Sequence, residues 1–349
     1  MALFISPYAL VLRLRHLLYD KGIKKVRTSG TFTISIGNIT VGGTGKTPHT
    51  EMLIRMLQDD FRTGVLSRGY KRKGKGFAFV TAEGGATLFG DEPVQIKRNF
   101  PGTVVAVDKS RLHGIQMMEN MQARVRPQVI ILDDAFQYRK LRPSVSLLLI
   151  DWNRPLNKDR LLPFGRLRDL PSRLKAADSI IITKCPPYIN EEERESWIDS
   201  AGLRDCGKNI YFTTIEYGTP QAVFPEGDKR YAYSPRAILF SGIANNSPMK
   251  QYVAESYRIL KTLDFPDHHK YSASDVRSIY SASKANPTAL VLTTEKDAQR
   301  IMERKDIPDI LKSKLFYLPI KVRFIDPAQE KSFRNMLIPS CPESDADII

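Results

Sequence analysis

Cysteine is scarce in this chain of 349 residues. Cys185, Cys206 and Cys341 are odd in number and unevenly spaced, which excludes a disulfide framework and a paired-thiolate zinc site and fits a reducing compartment. Long apolar runs are missing too. The opening MALFISPYALVLRLRHLLYD is apolar, but Arg13 and Arg15 interrupt it before it reaches the length of a bilayer span. It does not read as a signal peptide, because its charge follows the apolar stretch and no small-residue cleavage site appears. Internal repeats and low-complexity segments are lacking. Acidic residues are outnumbered, 38 against 53 basic ones, and the resulting net charge of +15 favours an anionic surface, membrane or nucleic acid, without choosing between them. A composition 42% hydrophobic and 26% charged is that of an ordered soluble protein, long enough for two domains.

What is present is organised around Ile34–Thr47, ISIGNITVGGTGKT. A β-branched run delivers the chain to a bend where Gly42, Gly43 and Gly45 let backbone N–H groups close around phosphate oxygens, and a helix N-terminus follows. This is a P-loop. Lys46 is placed to reach the β/γ-phosphates of a nucleotide and Thr47 to ligate Mg2+, so the candidate nucleotide-binding residues are Thr40, Val41, Gly42, Gly43, Thr44, Gly45, Lys46 and Thr47. One departure is visible: Thr40 stands where the motif's first glycine is expected, and Gly37 lies too early to replace it.

Short apolar runs at 64–67, 103–107, 129–132, 145–150 and 179–182 read as buried parallel strands. Helix-length stretches such as 92–98 and 111–121 lie between them, so the pattern is βαβ and the architecture a doubly wound α/β sheet. The run QVIILDD at 128–134 ends in paired carboxylates, as a Walker B strand does, with Asp133 directed to Mg2+ and Asp134 beside it. Two features argue against neighbouring classes. Thr183-Lys184-Cys185-Pro186 lacks the acid of a guanine reader, and Val41 stands where a partitioning-type ATPase switch would usually carry a second lysine.

Two further clusters, Gly90-Asp91-Glu92-Pro93 and Leu162–Asp169, read as functional loops, but spacing alone favours capped turns, because Asp and Gly suit helix N-caps and turns for purely local reasons. His268 and His269 fall in one loop, where an exposed imidazole is the ordinary outcome. At the N-terminus Leu10, Leu14, Leu17 and Leu18 recur at helical spacing beside Arg13, Arg15, Lys21, Lys24, Lys25 and Arg27. That helix suits a membrane interface or packing on its own domain, and the segment alone leaves both open. Residues 209–234 read as an extended linker or hairpin. Beyond it a smaller α/β pattern has strands at 237–241, 289–293 and 314–321 and helices at 249–260 and 274–283. An acidic tail with Glu343, Asp345 and Asp347 reads as disordered. The expected domains are therefore 1–208, the linker 209–234, and 235–349.

Taken together, GNITVGGTGKTP, SRGYKRK, GDEP, ILDDAFQYRKL, LLPFGRLR, FSGIAN, FPDHH and LTTEKDA resemble, in order and almost end to end, the tetraacyldisaccharide 4'-kinases of lipid A synthesis. The resemblance implies ATP-dependent phosphorylation of the 4'-hydroxyl of a tetra-acylated glucosamine disaccharide 1-phosphate. It implies a peripheral or monotopic enzyme at the cytoplasmic face of the inner membrane, with a lipid and not a nucleic acid as partner. The fold implied is two α/β domains joined by a two-stranded linker, ATP and substrate meeting in the cleft. By motif, Asp91 is the implied catalytic base and His268 its assistant, Asp133 and Asp134 are the acidic pair near the metal, Arg111 is an active-site cation and Gln137 a nucleotide-site residue. Ala135, Tyr138 and Asp169 depart from the family pattern, the last standing where glutamate is expected. The alternative is a membrane-surface P-loop ATPase switch without a lipid acceptor.

Overall fold

The computed structural model describes residues 7–338, so Cys341 and the acidic tail lie outside the described residues. Backbone contacts divide the described chain into two units, one of residues 7–82, 96–215 and 322–338, the other of 83–95 and 216–321.

The larger unit opens with α1 (Pro7–Asp20), followed by β1 (Phe32–Gly37), α2 (Lys46–Leu57), β2 (Thr63–Ser67) and β3 (Ala78–Phe79). Next in the chain come α3 (Ala86–Phe89), α4 (Asp91–Asn99), β4 (Val104–Val107), α5 (Arg111–Glu119) and β5 (Val129–Asp133). β6 (Val145–Asp151), β7 (Ser179–Thr183), α6 (Glu191–Ser200) and β8 (Asn209–Tyr217) complete the series. The strands lie in the order β8-β7-β6-β1-β5-β2-β4-β3, and β3 pairs antiparallel while the others run parallel. Their apolar runs are continuous because both faces are covered. Leu148, Ile150, Ile180 and Ile182 join Phe136, Trp197 and Phe212 in one cluster, and Leu66, Ala106, Ile130 and Leu132 join Ile115 and Met118 in another. This is the expected doubly wound sheet. Ile36 of β1 stands opposite Asp133 of β5, so the P-loop and the acidic pair leave neighbouring strands at their carboxyl ends, where such sheets bind ligands.

The smaller unit carries β9 (Gln221–Ala222), β10 (Arg236–Ser241), α7 (Ser247–Ser256), β11 (Arg258–Asp264) and α8 (Ala273–Ala285). β12 (Leu290–Thr294), α9 (Glu295–Ile301), α10 (Asp309–Lys314) and β13 (Leu315–Leu318) follow. The sheet order is β11-β10-β12-β13-β9, parallel except for β9. Alternate residues serve opposite faces, as a strand's period of two requires: Ile238, Phe240 and Val291 enter one cluster, Ala237, Leu239, Leu290 and Leu292 the other. The chain then returns through β14 (Ile320–Phe324), which lies beside β8, and α11 (Pro327–Leu337), whose Phe333 ring centroid is 5.0 Å from that of Tyr211.

Several boundaries differ from expectation for local reasons. Asn209–Tyr217 is a strand of the larger sheet, and Gln221–Ala222, within the expected linker, pairs into the smaller one. The apparent strand at 314–321 is two, broken at Pro319, which has no N–H for a ladder. The helix expected over 249–260 ends at Ser256, and β-branched and long residues from Arg258 form β11. Residues 83–95 group with the smaller unit because their polar contacts are there: Glu303 accepts the N–H groups of Ala86 and Thr87, and Lys296 pairs with Glu92.

Candidate active site

The P-loop is held from outside. Asn38, fully buried, donates to Thr44 Oγ1 at 2.8 Å and to Thr40 Oγ1 at 3.3 Å. Thr40 forms a β-bridge with Leu167, and the N–H of Val41 donates to the carbonyl of Arg166 at 2.7 Å. An extended, paired residue at position 40 accounts for a threonine where the motif usually has glycine. Gly37 is glycine because of close approach: a Cβ there would come within 2.7 Å of the Phe136 Cβ. Gly45 has φ 85° and caps α2 without any side-chain hydrogen bond, so the helix meets a ligand with its N–H groups uncovered.

Lys46 Nζ lies 3.8 Å from Asp134 Oδ1 and 3.5 Å from Asn38 Oδ1. Asp134, at φ 47°, also receives both terminal nitrogens of Arg168, NH1 at 3.2 Å. Burial alone raises its pKa, but the Lys46 charge and the Arg168 contact outweigh it and hold the carboxyl below its ordinary value. Asp133, buried at the end of β5, accepts from Ser67 Oγ at 3.0 Å. The hydroxyl of Thr47 is buried and, among the described residues, has no hydrogen-bond partner. An orphaned hydroxyl at the P-loop and a buried carboxylate on the adjoining strand are the hard oxygen donors that Mg2+ prefers, so these two residues fit the ion.

Arg111, the active-site cation implied by motif, sits beneath the acidic pair. It is 2% exposed, its NH1 donates to the carbonyl of Asp108 at 3.0 Å, and its NH2 to the carbonyls of Asp133 and Asp134 at 3.0 and 3.4 Å. It therefore shapes the turn carrying the two acids. Gln137 donates to the carbonyl of Asn38 and accepts at its own carbonyl from Arg15 at 2.7 Å. Asp169 is fully buried against His16 of α1, 2.6 Å away, and Tyr8 of the same helix donates to the carbonyl of Arg168 at 2.8 Å. Asp169 thus supports the Arg168 loop from beneath.

A second cluster belongs to the smaller unit. Asp91 opens α4, where the helix N-terminus favours an anion. Its Oδ2 accepts from Arg300 Nε at 2.8 Å and NH2 at 2.7 Å and stands 3.5 Å from His268 Nδ1. The same guanidinium reaches Asp297 Oδ1 at 2.8 Å, the Gly242 carbonyl at 2.9 Å and His268 Nδ1 at 3.2 Å. Burial raises the pKa of Asp91, yet His268 and Arg300 bring it well below the ordinary carboxylate range. Asp91 and His268, expected on different domains, thus lie in one unit. Arg168, Asn38 and Arg300 were not singled out from the sequence. Arg168 and Asn38 sat inside quoted motifs, whereas Arg300 carried no signal beyond its spacing of three from Asp297 on α9.

The doubly wound sheet, the glycine loop with Lys46 and Thr47, and the acidic pair at the end of the adjacent strand define a P-loop phosphotransferase. The family model described as tetraacyldisaccharide-1-P 4'-kinase (LpxK) matches residues 1–339. The tetraacyldisaccharide 4'-kinase of Phocaeicola vulgatus is 39% identical over 91% of this chain and 88% of its own, and that of Parabacteroides distasonis 38% over 96% and 92%. The crystal structure of "apo" form LpxK from Aquifex aeolicus in complex with ATP superposes with a TM-score of 0.72 at 27% identity, covering 96% of each chain. The chain belongs to the tetraacyldisaccharide 4'-kinase family.

Proposed function

We propose that the protein transfers the γ-phosphoryl group of ATP to the 4'-hydroxyl of a tetra-acylated glucosamine disaccharide 1-phosphate, a step of lipid A biosynthesis. The observation that carries this reading is the family match across residues 1–339, which takes in both units and leaves an ATPase switch without a lipid acceptor unfavoured. Lys46 and the free N–H groups of α2 stabilise the phosphates and the charge that develops on the transferring group. Mg2+, held by Thr47 and Asp133, would add positive charge at the phosphates. When phosphate arrives, Lys46 exchanges Asp134 for it while Arg168 keeps that carboxylate paired.

Asp91 takes the proton of the sugar hydroxyl. The O–H bond breaks toward its carboxylate as the new O–P bond forms and ADP leaves. Because His268 and Arg300 hold Asp91 at a depressed pKa, it is a weak base in the ground state and accepts the proton late, once the attacking oxygen has become acidic. The helix α1 buries Ala9, Leu12, His16 and Tyr19 and exposes Leu10, Val11, Leu14 and Leu17, with Lys21, Lys24, Lys25 and Arg27 exposed beyond them. Among the described residues no helix is long and apolar enough to cross a membrane. An outward apolar stripe beside basic residues suits docking on the anionic cytoplasmic face of the inner membrane, where the lipid acceptor resides. Radiolabel transfer from ATP to a lipid disaccharide 1-phosphate in mixed micelles tests the activity. Hydrolysis of ATP with no labelled lipid would overturn it.

A further inference from the structure

Thr183-Lys184-Cys185-Pro186 lacks the acid of a guanine reader, and the structure gives it another occupation. Lys184 has φ 58°, a left-handed conformation uncommon for lysine and frequent at functional sites. Its Nζ donates to Asp151 Oδ2 at 2.8 Å and to the carbonyl of Gly43 in the P-loop. One residue earlier, Thr183 Oγ1 donates to the carbonyl of Thr44 at 3.0 Å. The next carbonyl, that of Gly45, lies 2.7 Å from His49 Nδ1. Three consecutive P-loop carbonyls therefore each hold a side-chain donor, two from the end of β7 and one from α2.

The His49 contact has a fixed sense. A carbonyl can only accept, so the ring proton is on Nδ1, while Nε2 lies 3.0 Å from Thr213 Oγ1, whose hydroxyl also reaches the Ile182 carbonyl at 3.1 Å. The physical need for such contacts lies in the loop itself. Each trans peptide plane points the carbonyl of one residue and the N–H of the next in opposite directions. Gly42 and Gly45, at φ 105° and 85°, supply the conformational freedom that lets planes turn, and a turned plane would face an anion with oxygen instead of N–H. Carbonyls held from outside remove that option.

We propose that Lys184, Thr183 and His49 are positioning residues for the nucleotide, locking the peptide planes from Gly43 to Lys46 so that the P-loop stays shaped for phosphate. The proposal rests on the P-loop being the ATP site, and the controls separate the two. Lys184→Met removes the donor and keeps the stem. Lys184→Gly suits φ 58° and removes the donor without strain. His49→Asn keeps a donor near the Nδ1 position, whereas His49→Leu does not.

In the full-length enzyme, MgATP binding is measured by titration calorimetry, alongside KM for ATP, KM for the lipid acceptor, kcat at saturating ATP and thermal stability. Lys184→Met and Lys184→Gly are expected to raise the ATP Kd and KM about 10- to 100-fold, the range of one lost hydrogen bond to a charged group, with acceptor KM changed by less than about threefold. His49→Leu follows them and His49→Asn stays near wild type. Folded Lys184→Met and Lys184→Gly proteins with wild-type ATP affinity would overturn the clamp, as would equal losses in ATP and acceptor parameters, the mark of a merely structural role. If Lys184→Met does not fold, the glycine variant and the His49 pair decide by the same criteria. A Lys46→Ala control that still binds MgATP as wild type would instead overturn the P-loop reading beneath the proposal.

Discussion

Asp134 and Asp91 invite comparison, because each is a carboxylate held below its ordinary pKa, the first by Lys46 and Arg168 and the second by His268 and Arg300, in a setting that includes a left-handed non-glycine residue. Their cations are attached differently. Lys46 reaches Asp134 at 3.8 Å and Asn38 at 3.5 Å, contacts long enough to be exchanged when a better anion arrives. Arg300 is fixed by Asp297 and the Gly242 carbonyl as well as by Asp91, and its side chain is 8% exposed. One cluster is made to change partners, and the other to keep them. A phosphate-binding lysine needs the first property, and a carboxylate that must meet its substrate in one orientation needs the second.

The largest effect should come from breaking the exchangeable side. Lys46→Ala is expected to lower phosphoryl transfer on the order of 10³-fold or more, because it removes a charge aimed where negative charge develops. Steady-state transfer at saturating ATP checks this, and near-normal turnover would remove the P-loop from the mechanism. On the fixed side, Asp91→Asn should cut kcat about 10²-fold, toward the lower end for general-base catalysis because the base is weak, with ATP KM little changed. His268→Ala should cost less. The double variant should be scarcely worse than Asp91→Asn if the two act as a unit, whereas multiplied defects would separate their roles.

Arg300→Met sharpens the comparison through pH. A carboxylate with a depressed pKa keeps its basic form as pH falls until that low value is reached. Without Arg300, His268 is left to offset the burial that raises the pKa, so the pKa rises and the basic form is lost at higher pH. The acid limb of the kcat profile should therefore move upward, with about a tenfold loss of kcat on its acid side at matched pH. The titratable neighbours that remain, Glu92, Lys296, Asp297 and His268, are unchanged by the substitution. An unshifted limb would assign Arg300 to folding alone. The smallest effect is expected from Leu10→Ser with Leu14→Ser on the exposed face of α1: a severalfold loss of vesicle binding and of micellar activity, with ATP parameters intact. Vesicle co-sedimentation across a salt series checks it.

The same contrast explains what could be seen beforehand. The Asp134 cluster grows from two contiguous signals, a glycine loop after a β-branched run and an acidic pair ending an apolar one, each fixed by local chemistry. The Asp91 cluster is assembled from Asp91, His268 and Arg300, which no periodicity connects, and only the whole set of family motifs pointed to the first two. Arg111 was legible by type and not by partner: the three carbonyls that hold it carry no signal in the sequence. The architecture was legible because buried parallel strands have a continuous apolar signature. The return of β14 to the larger sheet was not, since Pro319 splits one apolar run between two sheets.

The two faces of α1 bear on how a more tractable form of the enzyme should be prepared. Trimming the helix would leave Asp169 buried without His16, Arg139 without its contacts to the same histidine, and Gln137 without Arg15. A stranded interior charge is far more costly than a lost surface contact. Loss of activity in such a truncation would therefore report a damaged interior as much as a missing anchor. Polar replacements at Leu10, Val11, Leu14 and Leu17 leave every one of those bonds in place, and a detergent-free preparation should start from them.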